Sequence, residues 1–526
     1  MSRVTHAQRY RNLRDDGVVK KSEMYARWTL AQLMHDVETS ANSTSQLAIE
    51  RDYQSIGALL TNNLAAKLTA LLFPQARPFF KAELARALQE EAVAQHGKTE
   101  VDAALARLEL DACQQLFKNA SYNQLVMATK HLIVTGNVLM YRDPTLQRTI
   151  TYGLNQFACQ RDGRGVLMDT VLREYTRFDA LPMDVQTQLL AAKPETYRNR
   201  SKSATEPPVC IYTRIWRDTA KRSKRIIYRV SQEIDELEVG NQGHYAEHLC
   251  PWQVVTWNLL AGEHYGRGLV EDFSGDFAKL SDLSEAATLY GVAISKVLNL
   301  VAAGSGSDVD SMAKAEHGEW VQGSPDTVSA YEAGDWQKLQ ALRADIAEVF
   351  SRLSRAFMYS GNTRDAERVT AYELRLAALE VEQTLGGTYS ALSESWQVPL
   401  AHLLVLEIKP NMLSGLVNER VKLGIVAGIP ALGRSSEVAN LMSAVAEAAV
   451  IVAQLVQLDK RIDPFKVLNM IYAGQSVDTA ALFKSDADIK ATLEADREAQ
   501  EGQQQMLNAA GAAETLGAIS TLQQQG

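Results

Sequence analysis

Three groups of residues have types and spacings that could do chemistry. Gly97-Lys98-Thr99 resembles the end of a phosphate-binding loop. Such a loop needs a first glycine five residues earlier, and that place holds Ala92 in a helical context with no preceding strand, so a nucleotide site is not expected. His244, His248 and Cys250 could approach a metal ion. A closed zinc site takes four ligands, and no fourth lies near in sequence, so the plainer reading is a loop ahead of a strand. Arg214, Arg217, Lys221, Arg222, Lys224, Arg225 and Arg229 form a basic cluster that could meet nucleic acid. The same residues suit the solvated tip of a hairpin. No paired carboxylates, Ser-His-Asp set or Cys-His pair stands out, and no catalytic residue, cofactor or metal is expected.

A fourth group is mechanical rather than chemical. Between two long helical patterns lies the polar stretch Gly361-Asn-Thr-Arg-Asp-Ala-Glu-Arg368. Thr363 with Asp365 and Glu367 could cap and start a helix. Asn362, Thr363, Arg364 and Arg368 could equally form a mobile loop facing a passing substrate. Both readings stay open at this point.

The chain that must position these groups has 526 residues, 46% hydrophobic and 22% charged, enough for two or three domains with real cores. The net charge of −9 excludes an ordinary nucleic-acid binder, which would be basic. Four scattered cysteines without a CxxC read as reduced, buried thiols of a cytosolic protein. No apolar run reaches a membrane span, and the positive N-terminus lacks the apolar core of a secretion signal.

The periodicity predicts helices over residues 1–72, with Tyr25 to Glu38 and Gln54 to Phe73 as amphipathic runs, and again over 80–96 and 100–136 with a break at Asn119-Ala-Ser. Residues 137–178, 209–240 and 252–260 alternate and are β-branched, so they read as short antiparallel strands, with hairpin turns at Asp162-Gly163 and Thr219 to Lys224. From Gly275 to Ala302 the helical period returns, with Phe277, Leu280 and Ile294 on one stripe. After a Gly-, Ser- and Asp-rich insertion at 303–335, a second helix to Met358 carries Leu342, Ile346 and Leu353. The two helices are expected to pack antiparallel. A third helical run spans Asp365 to Ile408, kinked at Gly386-Gly387 and bent at Pro399, and residues 412–484 read as shorter helices. The fold class is α+β, mainly α.

Six segments in order resemble the portal, or head-tail connector, proteins of short-tailed double-stranded DNA phages of the autographivirus (podovirus) type. They are Asn62-Asn-Leu-Ala-Ala-Lys-Leu with Leu71-Leu-Phe-Pro74, Gly136-Asn-Val-Leu-Met-Tyr141, Tyr265-Gly-Arg-Gly268, Ser354-Arg-Ala-Phe-Met358, Glu367-Arg-Val-Thr-Ala371 and Thr384-Leu-Gly-Gly-Thr-Tyr389. The resemblance implies a non-enzymatic homododecameric ring at one capsid vertex, a conduit for double-stranded DNA during genome packaging and ejection. It implies a mixed wing at 1–265 and 368–430, stem helices at 266–302 and 336–358, and a clip at 303–335. A channel loop at 359–367 follows from it, as do a helical crown at 431–495 and a C-terminal tail or barrel at 496–526. On this reading Asn362, Thr363, Arg364 and Arg368 meet DNA, and Glu319, Trp320, Asp326 and Tyr331 form the clip's docking surface. Implied partners are the terminase motor, the tail adaptor, the major capsid and scaffolding proteins and internal core proteins at the crown, with no membrane. The implied location is the virion, with the host cytoplasm during assembly. Two other readings are a helical head or tail adaptor without a channel, and a DNA-processing enzyme, which would need a site the sequence does not display.

Overall fold

The computed structural model describes residues 4–359 and 387–425, apart from short segments at 44–48, 51, 76–77, 86–87, 92–93, 95–97, 201–206, 219–225, 296, 303–308, 317–319, 321–325, 327, 333–335 and 413–420. A division after Ala431 separates the chain into two units, and every described residue belongs to the first.

The N-terminal helices begin where the sequence supplies caps. Helix α1 (His6–Leu13) opens on a capping box between Thr5 and Gln8. The Asp15 and Asp36 carboxylates accept from the first amides of α2 (Asp16–Trp28) and α3 (Val37–Asn42). The expected helix from Tyr25 to Glu38 is interrupted after Trp28. The Trp28 carbonyl accepts instead from Gln54 Nε2 at 2.6 Å. A single 3₁₀ turn then follows at Ala31–Met34. Helices α4 (Ile56–Leu72), α5 (Lys98–Phe117) and α6 (Ser121–Thr135) agree with the periodicity. Asn119 and Ala120 both take left-handed backbone and make the break between α5 and α6.

Most of the strands form two antiparallel sheets. β2 (Asn137–Asp143) is the centre of a three-stranded sheet, flanked by β3 (Arg148–Tyr152) and β9 (Trp252–Thr256). A five-stranded meander follows chain order through β4 (Phe157–Arg161), β5 (Leu167–Thr176), β6 (Val209–Asp218), β7 (Ile227–Ile234) and β8 (Leu237–Ala246). At the β4–β5 turn, Asp162 accepts from the amides of Arg164 and Val166, and Gly165 sits at φ +83°. Helices α7 (Met183–Ala192) and α8 (Pro194–Arg200) bridge β5 and β6, and Leu189 and Tyr197 pack with Val209, Ile234 and Val239.

After the sheets the chain passes through the one-turn α9 (Leu269–Asp272) into α10 (Ser274–Ile294). Helix α10 is 21 residues long, roughly 30 Å. It stops well short of the expected Ala302, because β10 (Val297–Val301) pairs antiparallel with β11 (Val328–Glu332). Between those strands α11 (Val309–Lys314) forms one and a half turns, and α12 (Trp336–Ala356) returns.

Two further expectations are corrected. Phe80–Leu84 is not helical but strand β1, and its partner β12 (Val421–Ile425) lies in a region read as helices. Phe80 and Ala82 are buried while Lys81 is half-buried, the alternation of a one-faced strand. Of the third helical run, Asp365 to Gly386 lies outside the described residues. Gly387 has φ +86° and starts α13 (Thr388–Leu392), which passes through a π-helical turn at Ser393–Gln397 into α14 (Val398–Ile408). The wider turn sits directly before Pro399, whose ring and missing N–H would clash with regular helical bonding. The crown and tail at 431–526 lie outside the described residues.

Candidate functional site

The segments that carry the family resemblance are scattered over more than 300 residues of sequence, and the fold brings four of them to the end of the α10–α12 pair where α10 begins. Asn137 is the centre. Its Nδ2 donates to the Gly266 carbonyl at 2.7 Å and to the Thr135 carbonyl at 2.8 Å, and its Oδ1 accepts from the Gly266 amide at 2.7 Å. Gly136, at φ +73°, ends α6 and passes so close to the second strand of this clasp that a Cβ would sit 2.4 Å from Gly268 N. Only glycine fits there. Arg267, beside the clasp, bonds Glu263 at 2.6 Å and Glu271 at 3.3 Å, and that guanidinium holds the Glu263 carboxyl below its usual range. Gly136-Asn137 and Gly266-Arg-Gly268 are thus two halves of one joint between the start of β2 and the segment that leads into α9 and α10.

The returning helix is fixed at the same level. Phe277 of α10 meets Phe357 edge to face at 5.6 Å, Arg352 donates to Asp276 at 2.8 Å, and Lys67 Nζ in α4 donates to the Met358 carbonyl. Tyr389 OH donates to the Leu71 carbonyl at 3.1 Å, tying α13 to the end of α4. Behind them Arg142 on β2 makes a bidentate pair with Glu407 on α14 at 2.7 and 2.8 Å. The two side chains are only 2% and 8% exposed, and Arg142 also donates to Ser121 and Thr149.

Of the expected stem residues, Phe277, Leu280 and Leu353 are buried, and Ile294, Leu342 and Ile346 are half-buried. The helices are antiparallel, since the first turns of α10 meet the last turns of α12. At the far end Trp320 is fully exposed, Asp326 is exposed, and Tyr331 stands opposite Leu298 in the β10–β11 ribbon. Glu319 lies outside the described residues, as do Asn362, Thr363, Arg364 and Arg368.

Arg214 is bidentate to Asp169, with the shortest contact at 2.7 Å, and Arg229 pairs with Asp218 at 2.6 Å. These charges are answered within the wing; Lys221, Arg222, Lys224 and Arg225 lie outside the described residues. Cys250 is buried in an apolar cluster and burial pushes its thiol up to about 12, while His248 stacks on His402. His244 lines a cavity of about 800 Å³ with Leu249, Leu403 and Leu406. No cluster of three metal-ligating side chains occurs among the described residues. Lys98 and Thr99 begin α5, and no described strand precedes them directly as a phosphate-binding loop would require. Sequence reasoning missed the Arg142–Glu407 pair, whose partners are 265 residues apart. The arrangement offers a rigid root and a projecting rod, which is a mechanical capacity rather than a reactive one.

Comparison with known proteins agrees. The family model described as bacteriophage head to tail connecting protein matches residues 5–482. The portal protein of Pseudomonas phage phiKMV is 43% identical over 516 residues, 98% of this chain and 97% of that one. The portal protein of Enterobacteria phage SP6 is 31% identical over 424 residues, 80% of this chain and 78% of its own length. That of Escherichia phage T7 is 30% identical over 429 residues, 80% and 77% of the two chains. With the family model matching residues 5–482 and a relative 43% identical over 98% of the chain, the chain belongs to the bacteriophage head to tail connecting protein family.

Proposed function

We propose that this chain, a portal protein of the virion, assembles into a dodecameric ring through which double-stranded DNA is packaged and later ejected. It acts as a structural component and not as an enzyme. The observation that carries the reading is the clasped stem root: a two-helix rod fixed to a mixed wing by Asn137, Gly266 and the Phe277–Phe357 contact. A rod held at one end suits repetition around an axis, with closed rings built from heterologous contacts. The acidic net charge of −9 suits a passage that lets DNA slide, since strong phosphate binding comes from clustered cations.

In this reading the β10–β11 ribbon and exposed Trp320 serve as the clip. The clip docks the terminase motor and then the tail adaptor, with Glu319, Asp326 and Tyr331 on the same surface. Asn362, Thr363, Arg364 and Arg368 follow the end of α12 and line the channel. Capsid and scaffolding proteins meet the wing, internal core proteins meet the crown, and assembly takes place in the host cytoplasm. Native mass spectrometry and particle imaging test it together. The expected result is a ring of about a dozen copies with an axial hole. A stable monomer or dimer at high concentration refutes it.

A further inference from the structure

The two stem helices differ in a way that points to a second partner. Helix α12 is amphipathic: Leu339, Val349 and Leu353 are buried on one face, and its other faces are polar or small apart from exposed Trp336 at its start. Helix α10 is apolar on more than one face. Leu280, Leu283, Ala287 and Ile294 are buried or half-buried on the side of α12, yet Leu289 is 58% and Val292 55% exposed on another side. An exposed apolar patch, on a helix that already covers another face with α12, marks a place for a second neighbour.

The second stripe runs Ala278, Asp282, Glu285, Leu289, Val292, alternating steps of four and three residues, the spacing of a helix–helix seam. Helix α12 carries a stripe of the same spacing away from its buried face: Trp336, Gln340, Arg343, Ala347. These four are exposed, Trp336 by 57%. The helices are antiparallel, so heights can be counted from the Asp276–Arg352 pair. Moving down each helix by equal steps places Glu285 level with Arg343 and Val292 level with Trp336. Leu289 falls within one residue of Gln340, and Asp282 within one of Ala347. Rotation about a ring axis leaves every residue at its own height. The α10 stripe of one copy therefore meets, in register, the α12 stripe of the next: acid against base in the middle, apolar against Trp336 below, and acid against small Ala347 above. Among the described residues Asp282, Glu285 and Arg343 have no ion-pair partner of their own.

We infer that the stem closes the ring by a heterologous helix seam, in which Glu285, Leu289 and Val292 of one copy pack against Arg343, Gln340 and Trp336 of its neighbour. This rests on the ring reading above and adds the surface and the partner. The full-length double variant Leu289→Cys with Gln340→Cys, oxidised after assembly, is expected to give a ladder of covalent oligomers on non-reducing gels. Each single variant should give none, because a head-to-tail seam never brings a residue to its own copy. Both positions are exposed, so folding is left intact. Arg343→Glu should raise the protomer concentration for half-assembly several-fold at low salt, and adding Glu285→Arg should restore it. Rings of normal mass with no ladder and no charge effect overturn the seam and leave the portal function standing. Protein that stays monomeric in native mass spectrometry at every concentration overturns both, and a covalent dimer from Leu289→Cys alone replaces the seam with a two-fold contact.

Discussion

Replacing Glu407 by alanine tests how the wing is locked to the helix behind it. Arg142 is buried on β2, and its guanidinium has two strong bonds to Glu407 and two weaker ones, at 3.1 and 3.2 Å, to Ser121 and Thr149. Glu407→Ala leaves a buried cation with its main acceptor gone. Breaking such a pair from one side costs about 3–5 kcal/mol. At about 2–4 °C per kcal/mol for a domain of a few hundred residues, the melting temperature should fall by roughly 10 °C. Glu407→Gln keeps one acceptor oxygen and should cost less. The double variant Arg142→Met with Glu407→Leu removes both charges and should recover most of the loss, since a buried pair is often no better than apolar packing of the same volume. Thermal and denaturant unfolding followed by circular dichroism, at one fixed protomer concentration, closes the cycle. If Glu407→Ala stays within about 1 kcal/mol of the parent, the scale of most surface substitutions, the pair is not the lock described.

Three further outcomes are expected. Asn137→Ala removes three buried hydrogen bonds at the stem root and should cost about 2–4 kcal/mol in denaturant unfolding, while Gly136→Ala, strained in backbone and clashing with Gly268 N, should yield little folded protein. Burial, with His35 adding to it, pushes the His131 imidazole down to about 4, so the folded state holds it neutral; that stability is present above its ordinary value near 6.5 and is lost as pH falls from there towards 4. Unfolding free energies measured across that window should drop by roughly 3 kcal/mol in the parent and less in His131→Gln. Trp320→Ala should leave the melting temperature unchanged, because the ring is already in solvent, and should weaken capture of the packaging motor or tail adaptor in a pull-down.

The local parts of this fold were legible because local rules govern them. The periodicity announces α4, α5 and α6, and the Asp162-Gly163 turn announces its hairpin. The stripe of α12 is legible because a single face is buried. What failed depends on distance. Phe80–Leu84 is a strand only because Val421–Ile425 comes back to pair with it, and five residues of alternation are too few to announce that alone. The β7–β8 hairpin turns on Asp235 and Glu236, both at positive φ, where the familiar Asn-Gly signal is missing. The run Val297 to Val301 continues a helical stripe in sequence and becomes a strand because β11 is opposite. At the stem root the motifs were visible one by one, but nothing local says that Asn137 reaches Gly266, 129 residues away.

The β10–β11 ribbon has one more consequence. Val301 pairs with Val328, so the chain that leaves the stem at one returns beside the other, about 5 Å across the ladder. Whatever lies between them hangs from a closed doorway. Its length can change at a cost that grows only with the logarithm of the loop, and neither stem helix shifts register. The segment behaves as an exchangeable cassette: different partners can be accommodated by rewriting the residues between Val301 and Val328, while the rod that presents them keeps its geometry.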